Sequence, residues 1–145
     1  MLKLKIDNEA LANDFFEDAR LLGIVAPLKY YQFSWSVNQW LGFNFRINNS
    51  LEIPLKKKDR KYYFPVFEYY KPGKDRLHYL YNNQYDGEFL LPEFRNLDFL
   101  WLIKDSEIGE SEVSDLITRL RPIPGVQLVS ELLPEKIKNK QNLIL

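Results

Sequence analysis

The sequence predicts an α+β fold: a mainly antiparallel sheet of about six strands with two main helices packed on one face. Three observations predict it. Strand-length segments that are alternating or wholly apolar recur along the chain. Only two segments carry apolar residues at strong helical spacing. The order is strand–helix–strand, then a meander, then strand–helix–strand, without the steady alternation of a parallel α/β protein. The 145 residues suit one domain, which would bury about two-thirds of its unfolded surface.

Each element has its own warrant. Leu2, Leu4 and Ile6 alternate with Lys3 and Lys5, as on a half-exposed strand. Residues 8–18 are acidic and mixed, with room for a helical turn or two. Leu21 to Ala26 reads as a buried strand that stops at Pro27. Tyr30, Phe33, Val37, Trp40 and Leu41 then form a helical stripe, and Gly42 stands where a left-handed glycine would end a helix over 28–41. Trp35 lies off that stripe, so it either packs on another element or is exposed. Phe43, Phe45 and Ile47 alternate as a strand with one aromatic face, and Asn48 to Ser50 is a turn.

Tyr62 to Tyr70 reads as one aromatic strand interrupted by Pro65, which points to an edge or a bulge. Residues 71–75 make a hairpin loop, and Leu77, Tyr79 and Tyr81 lie on the return strand. Residues 82–87 read as a loop. Leu97 to Lys104 is the most apolar segment and belongs in the middle of the sheet. Residues 105–112 are an acidic loop. Val113, Leu116, Ile117 and Leu120 mark the second helix, with Ser111 as its N-cap. Val126, Leu128 and Val129 make the last strand. Residues 1–133 are therefore expected to form the domain and 134–145 a loose polar C-terminal tail.

Composition removes whole classes of chemistry. With no cysteine there are no disulfides, zinc–thiolate sites, iron–sulfur clusters or thiol nucleophiles. A single histidine, His78, leaves no multi-histidine metal site. Six glycines scattered singly spell no phosphate-cradling loop, and no serine sits in a nucleophile elbow. The N-terminus lacks the apolar run of roughly 7–15 residues of a signal peptide. No window approaches the length of a membrane span. These features predict a cytosolic protein with no membrane contact and no cofactor, and none of them favours an enzyme.

The segment Leu91-Pro92-Glu93 followed by Leu97-Asp98-Phe99 carries a resemblance. It resembles the signature of the bacterial IPExxxVDY family, with Pro92, Glu93 and Asp98 matching outright and Phe99 lacking the tyrosine hydroxyl. The likeness covers nearly the whole chain. It implies a small single-domain protein of unknown function and transfers no catalytic residue.

Five features could carry function. Glu93 and Asp98 offer two carboxylates for acid–base work, against a structural role in which Glu93 ends a loop and Asp98 pairs with Arg46 or Arg95. Residues 86–115 hold nine acidic side chains against Arg95 and Lys104. Starting a calcium loop at Asp105 puts Glu110 where the glycine belongs and Leu116 where the bidentate glutamate belongs. The acids therefore read as a solvated loop that favours a helix N-terminus.

Lys56, Lys57, Lys58, Arg60 and Lys61 precede Tyr62, Tyr63 and Phe64, a mixture of cations and rings found in nucleic-acid binders. The zero net charge and the missing ribonucleoprotein motif weigh against that partner. His78 alternates with Leu77 and Tyr79 and so faces the other side of its strand, toward solvent.

Last are the aromatics: 3 Trp, 9 Tyr and 10 Phe, concentrated in 30–45 and 62–85 on both faces of their elements. They are either a second packed layer or a sticky surface. The function expected is a non-enzymatic module that binds a protein partner or itself, as a homodimer, through Trp35, Tyr62, Tyr63, Phe64, Tyr69, Tyr70, Tyr81 and their neighbours in 62–70 and 79–85. Nucleic-acid binding through 56–64 and a small-ligand site at Glu93 and Asp98 are the alternatives.

Overall fold

A computed structural model describes residues 15–51, 53–57, 60–73 and 75–144 of the chain, without the side chains at 51, 54–57, 60 and 61. The expected first strand over 2–6 lies outside the described residues. Of the acidic stretch after it, residues 15–17 are helical.

Six strands form one sheet in which every neighbouring pair is antiparallel. They are β1 (Ala19–Val25), β2 (Arg46–Ile47), β5 (Val66–Tyr70), β6 (Leu77–Asn82), β9 (Phe99–Lys104) and β10 (Leu128–Leu132), in the order β10-β1-β9-β6-β5-β2. Two hairpins stand apart from it: β3 (Ile53–Lys57) with β4 (Arg60–Phe64), and β7 (Gln84–Tyr85) with β8 (Glu88–Phe89). Among the described residues two longer helices accompany the sheet, α1 (Tyr30–Leu41) and α2 (Glu110–Leu120).

The α+β architecture holds, and the most apolar strand is interior. β9 lies between β1 and β6, with Leu100 to Ile103 fully buried. Its alternation divides two cores. Phe99, Trp101 and Ile103 face the helices, with Leu22 and Ile24 of β1, Phe33 and Val37 of α1, and Val113 and Leu120 of α2. Leu100 and Leu102 face the opposite layer, with Leu21, Tyr81, Leu90, Leu97, Ile137 and Leu143. A strand covered on both faces needs apolar residues at every position, hence its unbroken apolar sequence.

Helix α1 ends as its sequence requires. Gly42 takes φ 74° and donates its N–H to the Asn38 carbonyl, a conformation that a Cβ would strain. Ser34 is buried in the apolar stripe, whereas Trp40, assigned to that stripe, is 54% exposed. Trp40 sits at the margin of the wheel, and the helix turns its smaller Ser34 toward the sheet. The N-cap of α2 is Gly109 and not Ser111, which lies in the first turn; Glu112 accepts the Gly109 N–H.

Three strand assignments change. The aromatic run 43–47 is β-structure only at Arg46–Ile47, while Phe43 and Phe45 stack at 5.7 Å against the helix-side core. The run 62–70 is two strands. Pro65 is the crossing at which the chain leaves the β3–β4 hairpin and enters the main sheet, because proline cannot donate to either ladder. The loop at 82–87 contains the β7–β8 hairpin, turned at Asp86 and Gly87 with φ 53° and 82°. The last strand runs over Leu128–Leu132 and not 126–129.

Residues 134–144 are no loose tail. Ile137 and Leu143 are buried, the Tyr81 hydroxyl donates to the Leu143 carbonyl at 2.8 Å, and Asn142 Nδ2 donates to the Leu90 carbonyl. The β3–β4 hairpin, residues 90–97 and this segment together cover the sheet face that the helices leave bare. Of the two alternatives for the aromatics, a second packed layer is present, and it takes Tyr62, Phe64 and Tyr81 out of the expected surface.

Candidate functional site

Glu93 and Asp98 are committed to different backbone partners. Pro92 starts a single 3₁₀ turn over Pro92–Phe94, where its missing N–H costs nothing. From that turn Glu93 accepts the backbone N–H groups of Lys138 and Asn139, at 2.6 and 2.9 Å, and Asn139 Nδ2 at 2.6 Å. Burial opposes ionisation of Glu93, but the Asn139 side chain and these backbone donors outweigh it and hold the carboxyl below its ordinary range.

Asp98 accepts the Ala26 N–H at 2.8 Å, not a base such as Arg46 or Arg95. Its backbone N–H donates to the Ile24 carbonyl. Burial raises its pKa, with the Ala26 hydrogen bond opposing. The remaining residues of the segment are structural too. Leu91 and Leu97 are buried, and Phe99 stacks on Phe33 with centroids 4.5 Å apart. The two carboxylates bond to separate backbone segments, and Asp98, without Glu93, lines a cavity beside Tyr30 and Tyr31.

The residue that organises this segment is one the sequence does not flag. Asn83 is fully buried; its Nδ2 donates to the carbonyls of Phe94 and Leu97, and its Oδ1 accepts the Leu91 N–H. Its own N–H and carbonyl pair with Asp98 and Leu90. All four positions 91, 94, 97 and 98 are held from one asparagine.

His78 faces the helix side of β6 and is buried, not solvated. Sequence alternation assigned its face correctly but could not show that the face is covered. Trp101 Nε1 donates to His78 Nδ1 at 2.9 Å, so the single imidazole proton is on Nε2. Burial, with Arg76 and Lys71 nearby, pushes the pKa down to about 3 against an opposing pull from Asp105. Phe43 and Tyr69 enclose the ring at centroid distances of 5.1 and 5.8 Å.

His78 also lines a cavity of about 290 Å³ between the C-terminal end of α1, one side of α2, and β5 and β6. Beside it, Arg76 is buried and donates to Asp105 at 2.7 Å and to Glu112 at 3.0 Å. Arg119 Nη2 reaches the Leu41 carbonyl at 3.3 Å, where α1 has no basic residue of its own.

The acidic loop is used by arginines. Asp105 and Glu112 hold Arg76, and Glu110 joins Glu131 on Arg20, which ties α2 to β1 and β10. Among the described residues, no group of three or more His, Cys, Asp or Glu side chains could hold a metal ion. Lys56, Lys57, Arg60 and Lys61 lie on the β3–β4 hairpin, with Lys57 opposite Arg60; their side chains and Lys58 lie outside the described residues.

The predicted aromatic surface divides. Tyr62, Phe64 and Tyr81 are buried in the second layer, and Tyr69 is half-buried against Phe43 and His78. Tyr63 and Tyr70 are exposed, on the hairpin and at the end of β5. The concentrated exposure is on α1, where Tyr31, Trp35 (63%) and Trp40 face outward. Among the described residues, no helix is long and apolar enough to cross a membrane. Comparison with family models, with curated proteins and with solved structures gives no match in any of the three.

Proposed function

We propose that this protein is an interaction module, and that the outward face of α1 engages a second copy of the chain. One observation carries the reading: α1 is a twelve-residue surface helix, YYQFSWSVNQWL, that contains no charged residue and exposes Tyr31, Trp35 and Trp40. An exposed helix face ordinarily carries charge. Tryptophan and tyrosine are the residues that interfaces favour and that dominate their energetics.

Absence of charge also selects the partner. Across a two-fold axis a residue at the axis meets its own copy, so a charge there would meet its like; α1 presents none. The zero net charge of the chain removes repulsion at longer range. Gln32, Ser36 and Gln39, set between the rings, supply hydrogen bonds across the axis.

Sedimentation velocity tests this. The weight-average sedimentation coefficient is expected to rise across the micromolar range, and Trp35→Glu, at an exposed position, to hold the protein monomeric with its thermal melt unchanged. A wild-type protein that stays monomeric throughout that range would overturn the proposal.

A further inference from the structure

We infer that the cavity between α1, α2 and strands β5 and β6 binds a small organic monoanion, its acidic head on His78 Nε2–H, Lys71 and Arg119 and its apolar body on Phe43, Tyr69 and Leu116. All six residues line that cavity. The inference is independent of any contact made by the outward face of α1.

The polarity of His78 chooses the ligand. Its Nδ1 lone pair is taken by Trp101 Nε1–H, so Nε2 can only donate. The described residues leave no sealed side-chain nitrogen or oxygen without a partner. The Nε2–H has no hydrogen-bond partner among the described residues, and His78 lines the cavity. A buried donor held rigid by a tryptophan and two flanking rings calls for an acceptor.

The charges agree. Arg76 is engaged by Asp105 and Glu112, and Glu112 also takes the Gly109 N–H. Lys71 makes no side-chain hydrogen bond or ion pair among the described residues, and Arg119 spends one nitrogen on a carbonyl. The lining holds Lys71, Arg76 and Arg119 against Glu112 and Asp115, and with Arg76 also paired to Asp105 the cations left to meet an anionic head are Lys71 and Arg119. The volume, about 290 Å³, lies at the small end of the range for ligand sites. The rest of the lining is hydrocarbon and ring, which an inorganic ion would not use.

Because His78 is the only histidine, its ring nitrogens give one unambiguous set of signals in long-range ¹H–¹⁵N spectra. Titration with benzoate is expected to shift His78 Nε2 and the Trp101 indole N–H together and saturably, with a Kd of about 1 mM or below. Lys71→Gln, at an exposed position, is expected to weaken binding about tenfold with the thermal melt unchanged, and Arg119→Gln to weaken it by a similar factor. Benzyl alcohol and inorganic phosphate are expected to bind far more weakly than benzoate. Unmoved His78 signals overturn the site. Equal binding of benzyl alcohol overturns the anionic head, and equal binding of phosphate overturns the apolar body.

Discussion

Asn83 and His78 are the two buried polar side chains on whose geometry the neighbouring segments depend. Asn83 satisfies one N–H and two carbonyls of residues 91–97. Alanine there leaves the Leu91 N–H and the Leu97 carbonyl unpaired at about 1–3 kcal/mol apiece, while the Phe94 carbonyl keeps the Leu97 N–H, so Asn83→Ala should cost about 2 kcal/mol or more in urea denaturation. A loss below about 1 kcal/mol would show that water or rearranged backbone replaces the carboxamide.

His78 sets a pH dependence. Its folded pKa is about 3 against an ordinary 6.5, so the unfolded chain takes up the proton first and acid favours unfolding. The contribution is complete above about pH 6.5 and declines by about 1.4 kcal/mol per pH unit as pH falls toward 3. Glu93, held below its ordinary 4.5, adds to the loss only under that value. In the native protein the His78 Cε1–H resonance should not titrate through its ordinary range. A midpoint near 6.5 would contradict the burial of its neutral form.

Among the elements, legibility tracked locality. Helix α1 could be read to its last residue, because Gly42 is a local signal, and β9 because a doubly covered strand is apolar throughout. The break at Pro65 was not legible as a change of sheet: apolar and aromatic residues continue on either side, and periodicity does not say which sheet a strand joins. Tyr62 and Phe64 looked like surface residues for the same reason; what covers them arrives from distant sequence. Asn83 falls in a segment read as a loop, since its side-chain partners lie up to 14 residues away.

The C-terminal segment shows the same limit. Its many polar residues hide two buried anchors, Ile137 and Leu143, and a latch at Glu93. Glu93→Ala should release that latch, speeding amide exchange at Lys138 and Asn139 by at least about tenfold while β9 amides stay protected. Exchange unchanged at both amides would mean that the apolar anchors hold the segment alone.

At the scale of the whole molecule, α1 and α2 seal one face of the sheet, while a hairpin, residues 90–97 and residues 134–144 seal the other. Element order led to the correct class, and two helices are too few to cover two faces. The aromatic surplus supplies the missing cover: Tyr62, Phe64 and Tyr81 fill the second core, and among the described residues only Tyr31, Trp35, Trp40, Tyr63, Tyr70 and Tyr85 are well-exposed rings. Residues 91–97 sit in that second layer, with Leu91 and Leu97 packed into it, while Phe99 packs on the helix side.

The strand order β10-β1-β9-β6 has a consequence during synthesis. Strand β1 is made early, yet both its neighbours, β9 and β10, come from beyond residue 98. Until those residues leave the ribosome, Leu21, Leu22 and Ile24 have no strand beside them, and Tyr81 awaits the carbonyl of Leu143. At translation speeds of roughly 5–20 residues per second, the nascent chain carries bare strand edges and aromatic surface for several seconds. The completed domain closes in from its two ends, and its window of exposure to chaperones and aggregation belongs to the growing chain.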